Sequence, residues 1–394
     1  MSANTETKRT SVAVLLSGRE KFSPYFGGAI ARWTYEVYRR LSDQFDVTVF
    51  GHPTEKKDIY PLRHESDGVW RLCDCVAKIL LLRRYEETIW LRALMRRLRG
   101  YDMVHIHNRP QWVRTLRKLG YAGAIMLHLH NDHLGHWSAA ALDALATEVN
   151  AVAVCSGYLG STFMSGSPAL SVKTRVVFNG ANLELFSPRE EFREPKTIFF
   201  VGRVEPLKGV LQLLQAYEKV LDTHSDAKLV IGGSSGFGTH MKSGYVRQVR
   251  ALAEMLTEKR HAQIQFTGYL DHDRELPRWF QKAAIFVCPS LVRETFGLVN
   301  AEAMACATTV VASNRGGIPE VIGDTGRLID PEDTNQFASA ISELLSDPQQ
   351  CRQLGQAGYD RCRTLFDWRV IAANWTAVLN QISNSEVTIR VHRA

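Results

Sequence analysis

Two glutamates stand with seven residues between them in Arg293-Glu294-Thr295-Phe296-Gly297-Leu298-Val299-Asn300-Ala301-Glu302. Upstream, the apolar run Ala284-Ile285-Phe286-Val287-Cys288 ends in Pro289-Ser290, the pattern of a buried strand stopped by a turn. Downstream, Leu298 to Cys306 is rich in Ala, Leu, Met and Glu, so Gly297 falls near the first turn of a helix. The free N–H groups of such a turn and the positive end of the helix dipole attract an anion, and a glycine lets a ligand approach the backbone. A diphosphate suits that place. Glu294 lies before the helix and Glu302 about two turns along it, too far apart to share a proton. They bracket a ligand longer than one sugar, unless Glu294 only caps the helix and Glu302 only faces water.

Cations recur at a comparable junction. In Gly202-Arg203-Val204-Glu205-Pro206-Leu207-Lys208-Gly209, Arg203 and Lys208 follow the strand Thr197-Ile198-Phe199-Phe200-Val201 and lead into a helix from Val210. A guanidinium and an ammonium there could clamp a diphosphate. His128-Leu129-His130-Asn131-Asp132-His133 closes another strand; alternation puts His128 and His130 on one face, which favours an active-site polar cluster at the strand's carboxyl end over plain structural histidines or a zinc site. Asp271-His272-Asp273 imitates the D-x-D metal motif of some sugar-transferring enzymes, but its position ahead of Glu275 to Ala283 reads as a helix cap. Gly27-Gly28 either offers N–H groups to a phosphate or turns the chain. Gly232 to Gly238 leads into a long polar loop and reads as surface, while Asn314-Arg315-Gly316-Gly317-Ile318-Pro319-Glu320 is a glycine loop at a helix start.

These residues need a scaffold of alternating strands and helices, and the chain has one. Its 394 residues exceed a single ordinary core, and 45% hydrophobic with 23% charged residues is a globular composition. Strand-and-helix alternation runs twice, from Ser11 and again from Thr197, with the charged, proline-bearing stretch from Leu183 to Lys196 as the expected boundary. The first strand is not followed by G-x-G-x-x-G, and there is no G-x-x-x-x-G-K-[ST], which argues against dehydrogenases and P-loop NTPases. Seven scattered cysteines, with Cys73 and Cys75 too close for usual zinc spacing, read as core thiols. Of the net charge of +7, residues 71 to 118 carry twelve Lys or Arg against four Asp or Glu. Arg92, Arg96 and Arg99 form a stripe beside Trp90, Leu94 and Leu98, fitting an anionic membrane surface, an acidic acceptor or a solvated face. No module for nucleic acid is recognisable. No apolar run has membrane-spanning length and Met1 to Thr10 lacks a signal core, so the expected location is cytoplasmic, with peripheral attachment to the inner face of the membrane through 71–118.

Taken in order, Gly27-Gly28, His130, Gly202-Arg203…Lys208-Gly209, Glu294-x7-Glu302 with Phe296-Gly297, and Gly316-Gly317-x-Pro319-Glu320 resemble the family 4 glycosyltransferases. The resemblance implies an α/β GT-B fold: two Rossmann-like domains facing each other across a cleft, with a C-terminal helix crossing back to the N-domain. Residues 1–188 would bind the acceptor, 189–366 the nucleotide sugar, and 367–394, opened by Asp367-Trp368, would form the returning helix. It further implies metal-independent, retaining transfer of a hexosyl unit from a nucleotide sugar, a UDP-sugar by preference, to a saccharide or lipid-linked acceptor. Such products belong to cell-envelope polysaccharide, lipopolysaccharide or glycoconjugate synthesis. The alternatives are a nucleotide-sugar epimerase or phosphorylase of the same architecture, or a non-catalytic nucleotide-sugar-binding protein.

By the same resemblance, Glu294 bonds hydroxyls of the donor sugar, and the backbone of Phe296, Gly297, Leu298 and Val299 meets sugar and phosphate. Glu302 accepts the ribose hydroxyls. Arg203 and Lys208 hold the diphosphate, with Gly27 and Gly28 covering it, and the base lies near Tyr269 and Leu270. His130 lies near the sugar, though whether it or His128 faces the sugar stays open. The catalytic set is therefore Glu294, His130, Arg203 and Lys208, with no metal and no cofactor. Asn108, Arg109 and Arg114 are the candidate acceptor contacts.

Overall fold

The computed structural model describes residues 9–17, 20–23, 28–51, 62–66, 86–234 and 244–391. Gly27, Cys73, Cys75, the start of the basic segment at 71–85 and the middle of the Gly232–Gly244 loop lie outside them. The chain forms two compact units, Met1–Phe178 with Trp368–Ala394, and Asn179–Asp367.

In the first unit, β1 (Thr10–Leu15), β2 (Phe45–Gly51), β3 (His64–Ser66), β4 (Met103–His107), β5 (Ala124–Leu129), β6 (Ala151–Val154) and β7 (Thr174–Val176) form a sheet ordered β3-β2-β1-β4-β5-β6-β7. In the second, β8 (Glu194–Val201), β9 (Lys228–Gly232), β10 (Gln263–Gly268), β11 (Ala283–Cys288), β12 (Thr309–Ser313) and β13 (Arg327–Ile329) are ordered β10-β9-β8-β11-β12-β13. Every pairing among the described strands is parallel. Helices cover both faces of such sheets, which is why β4, β5 and β11 are buried along their whole length and β11 reads as an apolar run. β3 has no such run; it is three residues long and polar, and periodicity does not reveal it.

In both sheets the winding reverses beside the first strand, between β1 and β4 and between β8 and β11. Segments leaving the carboxyl ends of those neighbours diverge, and a crevice opens there.

The division between units falls at Phe178/Asn179, upstream of the charged Leu183–Lys196 stretch. Composition misplaces it because residues 181–193 are bound into the second unit. The Ala181 N–H donates to the Phe366 carbonyl at 2.7 Å, Phe186 packs on Phe280, and the Gln281 side-chain amide donates to the Ser187 carbonyl at 3.0 Å. The region from Thr334 is three helices, Thr334–Ser346, Pro348–Leu365 and Trp368–Val391. Asp333 and Asp347 each accept two N–H groups and fix where the first two of these helices start. Trp368, Ile371, Trp375 and Leu379 join the first unit's core with Trp33, Val37 and Tyr38 of the helix Ala29–Tyr38.

The helix Glu86–Leu98 buries Trp90, Leu94 and Leu98, with Trp90 against Trp112 at 5.3 Å between ring centroids. Its apolar side is thus core, and Arg92, Ala93, Arg96 and Arg97, with Arg99 just past its end, face solvent, so the helix has no large apolar face to insert into a bilayer. No helix among the described residues is long and apolar enough to cross a membrane.

Arg193 ties the second unit together. Its guanidinium donates to the carbonyls of Phe280, Ala283, Cys306 and Ala307 and to the Thr308 hydroxyl, with the side chain 9% exposed. It thereby satisfies carbonyls left over at the ends of the helices Leu276–Lys282 and Leu298–Ala305. Arg193→Ala is expected to cost about 2–4 kcal/mol of stability, read as a lower denaturation midpoint; an unchanged midpoint would show that these carbonyls find other partners.

Candidate functional site

At the switch point of the second sheet, the turn after β8 is tied to the turn after β11. The Leu207 carbonyl accepts the Leu291 N–H at 2.9 Å and the Ser290 hydroxyl at 3.4 Å. The Ser313 hydroxyl, at the end of β12, donates to the Ser290 carbonyl at 2.7 Å and the Cys288 carbonyl at 3.2 Å. Beside this tie Lys208 Nζ and Glu294 Oε1 stand 2.8 Å apart, with the side chains 23% and 17% exposed. The ammonium is therefore held at a defined place by a carboxylate that it also orients.

Glu294 is fixed from below by the glycine loop. The Gly317 N–H donates to the Glu294 carbonyl at 2.7 Å. Gly316 has φ +65, and a Cβ there would collide with the Glu294 carbonyl oxygen, so the close approach requires glycine. Arg315 anchors the same loop, donating to the Leu291 carbonyl at 3.0 Å and pairing with Asp330 at 2.8 Å. Gly297, at φ +82, opens the helix Leu298–Ala305, whose first turn receives no side-chain cap. The Phe296 ring is buried against Phe366 at 5.5 Å, so at this position only backbone is available to a ligand, and Leu298 and Val299 are half-buried.

Glu302 lies further along that helix, with its side chain 4% exposed, and its Oε1 is 2.7 Å from His272 Nε2. His272 Nδ1 is 2.7 Å from Asp273 Oδ1. Asp271 does not cap the helix Leu276–Lys282 as expected; its carboxylate accepts the N–H groups of Asp273 and Arg274 at 3.0 and 2.9 Å and knits the turn before it. The D-x-D imitation thus shapes a turn that delivers the histidine between the two acids. Arg203, 55% exposed, pairs with Glu205 at 2.9 Å and is not drawn into the Lys208–Glu294 pair. Tyr269 is 69% exposed, and Leu270 is buried against Gly232.

In the first unit the structure gathers a histidine cluster larger than the sequence suggests. His107 on β4 is aligned with His128 on β5, and alternation puts His105 and His107 on one face with His128 and, just past β5, His130. Trp33 meets all four rings edge-on, at 4.5 to 6.0 Å between centroids. His128 stacks on His105 and on Trp375, at 5.6 and 5.3 Å. Tyr38 Oη accepts the Trp375 indole N–H at 3.1 Å and is 2.8 Å from His105 Nδ1. Thr34 Oγ1 is 3.2 Å from His107 Nε2, and His107 Nδ1 is 3.0 Å from His130 Nε2.

Ring nitrogens of His105, His107 and His128 lie within 4.8 Å of one another, close enough for three ligands of one ion. His105 and His128 are stacked while His107 is tilted against both, and both nitrogens of His107 are already bonded. Both ring nitrogens of His128 and Nε2 of His105 are buried with no hydrogen-bond partner among the described residues, and His133, half-exposed, is not part of the cluster. His128 is fully buried and His130 is 7% exposed. The His130 N–H donates to Asn108 Oδ1 at 2.7 Å, with Asn108 in the left-handed region at φ +51.

Other expected residues of this unit are engaged elsewhere. Arg109 pairs with Glu87 at 3.1 Å, and Asn108 supports the His130 backbone. Arg114 is exposed and lines a groove of about 480 Å³ with Gln111, Lys118, Trp137 and Leu145. Gly28 and Ala31 donate their N–H groups to Glu20 Oε1 at 2.9 and 3.2 Å, so a carboxylate sits on the helix start where the resemblance implies a phosphate.

The residues missed from sequence are His105, His107, Thr34, His272 and Glu20. Only His105-x-His107 left a legible signal, the same spacing as His128-x-His130.

Residues 183–361 match the family model described as glycosyl transferases group 1. Over 373 residues, 89% of this chain and 94% of the relative, the sequence is 32% identical to spore coat protein SA of Bacillus subtilis. The chain belongs to the group 1 glycosyl transferases. This transferase is also 31% identical over 406 residues, 93% of its own chain and 91% of the relative, to a D-inositol 3-phosphate glycosyltransferase of Thermobispora bispora. Its structure resembles Anabaena HepE in complex with UDP, with a TM-score of 0.72 at 17% identity, covering 94% of this chain and 100% of the other. At that identity the likeness shows the fold, the α/β GT-B architecture with two Rossmann-like units.

Two outcomes follow for the transferase. Gly316→Ala forces a left-handed residue against the Glu294 carbonyl and should lower activity at least about tenfold in a chain that still folds by circular dichroism; wild-type activity would mean that Glu294 tolerates displacement. Burial pushes His105, His107 and His128 well below their usual range, so they stay neutral in the fold. The unfolded chain takes up their protons as pH falls through about 6.5, and the folded chain does not, so stability is full above that pH and lost below it. The melting temperature should fall from pH 7 to 5, less steeply in His128→Leu; parallel curves for the two proteins would contradict this.

Proposed function

We propose that this group 1 glycosyl transferase moves a hexosyl unit from a nucleotide sugar, a UDP-sugar by preference, to a saccharide or lipid-linked acceptor with retention of configuration and without a metal. The reading is carried by the Lys208–Glu294 pair, 2.8 Å apart at the switch point of the second sheet. Beside it an uncapped helix N-terminus begins at Gly297, and the buried Glu302 lies further along the same helix. These are complementary to the parts of a nucleotide sugar in order: hydroxyls of the sugar at Glu294, phosphates at Lys208 and the Phe296–Val299 backbone, ribose at Glu302. Tyr269 and Leu270 border the place for the base, and Arg203 would turn from Glu205 to the diphosphate.

In the reaction, the bond between the anomeric carbon and the phosphate oxygen breaks and the acceptor oxygen bonds to that carbon. The acceptor's proton passes to the leaving phosphate, so no side-chain base is required. Lys208 and the helix N–H groups stabilise the charge that grows on the leaving phosphate, a preorganised electrostatic contribution. Asp271 and Asp273 are engaged with backbone N–H groups and His272, which supports a transfer that does not use them as metal ligands.

The names of relatives agree in kind. One is the D-inositol 3-phosphate glycosyltransferase, another an alpha-maltose-1-phosphate synthase of Mycolicibacterium smegmatis, and Anabaena HepE has been crystallised with UDP. For the acceptor, the Arg114 groove is the candidate contact. Exposed Arg92, Arg96 and Arg99 would support electrostatic attachment to an anionic membrane in cell-envelope glycoconjugate synthesis.

The test is transfer by the purified chain across a panel of nucleotide sugars and acceptors. Glu294→Gln and Lys208→Ala should each lower transfer about a hundredfold or more, with EDTA without effect. Wild-type rates in either variant would refute the assigned site. Release of sugar phosphate would indicate a phosphorylase, turnover independent of acceptor an epimerase, and binding with no turnover a non-catalytic protein.

A further inference from the structure

The carboxylate assigned to the ribose is already half engaged. Glu302 Oε1 is taken by His272 Nε2 at 2.7 Å, and among the described residues its other oxygen makes no hydrogen bond. On the far side of the ring, Nδ1 is 2.7 Å from Asp273 Oδ1. Ionised carboxylates only accept hydrogen bonds, so both bonds exist together only when both ring nitrogens carry protons. A neutral ring keeps one of them. The ring plane is set by Phe186, edge-on at 5.2 Å between centroids, itself packed on Phe280. The backbone is set by the Asp271 turn, closed by Glu275, whose Oε2 accepts the Asp271 N–H at 2.8 Å. His272 thus has a defined position, 29% exposed, against an acid that is 4% exposed.

We propose that His272 is the positioning residue for the ribose-reading carboxylate. It holds Oε1, so that Glu302 presents Oε2 to the ribose hydroxyls in one orientation, and it makes nucleotide affinity depend on its own protonation. The inference rests on the nucleotide-sugar reading above. Among the described residues, charged groups against the ring include Asp273 on its own turn and Glu302 on the helix Leu298–Ala305; Asp271 and Glu275 belong to the same turn. The thiols of Cys306 and Cys362 neighbour Glu302, and burial pushes both up, so they remain neutral. Two acids facing one imidazole favour its cationic form. When the cation loses a proton with rising pH, either the Glu302 bond or the Asp273 bond is lost, and affinity falls.

The experiment is calorimetric titration of wild type, His272→Gln and Asp273→Asn with UDP, ADP or GDP, whichever binds wild type best, and with its 2′-deoxy analogue, from pH 6 to 9. In wild type the ribose form should bind about tenfold more tightly than the deoxy form at low pH, with the ratio shrinking as pH rises. In His272→Gln the ratio should fall to about two or less and lose its pH dependence, with a raised donor KM and kcat within about threefold of wild type. In Asp273→Asn the fall-off should move to lower pH. A ratio and pH profile in His272→Gln equal to wild type would overturn the proposal, because a merely structural histidine would weaken both ligands alike. If wild type binds no nucleoside diphosphate at all, the parent reading fails and this one with it, a result distinct from an unchanged ratio.

Discussion

The ion pair of Lys208 and Glu294 depends on a constraint of backbone geometry. A parallel sheet wound in two directions parts its loops beside the first strand, and in the second unit that parting lies between β8 and β11. Left alone, the two loops would diverge. Here the Leu207 carbonyl, the Leu291 N–H and the Ser290 hydroxyl join them, and the side chains of Lys208 and Glu294 meet across the join. Arg315 and Gly316-Gly317 support the acid from behind. The cation's position is therefore inherited from the sheet order, and changes in these supports reach it without touching it.

The two glutamates of the motif occupy different electrostatic settings although they sit in one short segment. Glu294 faces the Lys208 ammonium, while the more deeply buried Glu302 faces a histidine. A buried carboxylate needs a partner, and a histidine is the partner whose charge is adjustable. That difference suits the nucleotide sugar proposed above, whose phosphates need a cation and whose ribose needs directed hydrogen bonds.

The first unit relies on a different device. Its central strands carry imidazoles where aliphatic side chains would ordinarily pack, and Trp33, Trp375 and Tyr38 close around them. Trp375 comes from the last long helix, so the chain's end is part of the packing that holds His105 and His128. The hydrogen-bonded link from Thr34 through His107 to His130 orients the ring nearest the surface.

The sequence alone determined the α/β class, most of the strands and the motif order, because strands buried on both faces are mostly apolar runs and because glycine is favoured where a backbone turns left-handed, as at Gly297 and Gly316. The two acids of Glu294-x7-Glu302 and the cation Lys208 were legible for the same reason: each lies next to a strand end or helix start that local pattern marks. What tertiary structure decided is every partnership between distant segments. Lys208 chose Glu294 while Arg203 stayed with Glu205. Four histidines from two strands became one cluster only through the register of β4 against β5. His272 looked like filler in a false metal motif until the fold brought Glu302 against it. Residues 181–193, charged like a linker, joined the second unit because Phe186 and Arg193 found their acceptors and packing there. Local sequence sets which conformation a segment prefers, but hydrogen bonds and ion pairs between segments depend on distances that only the packed sheets define.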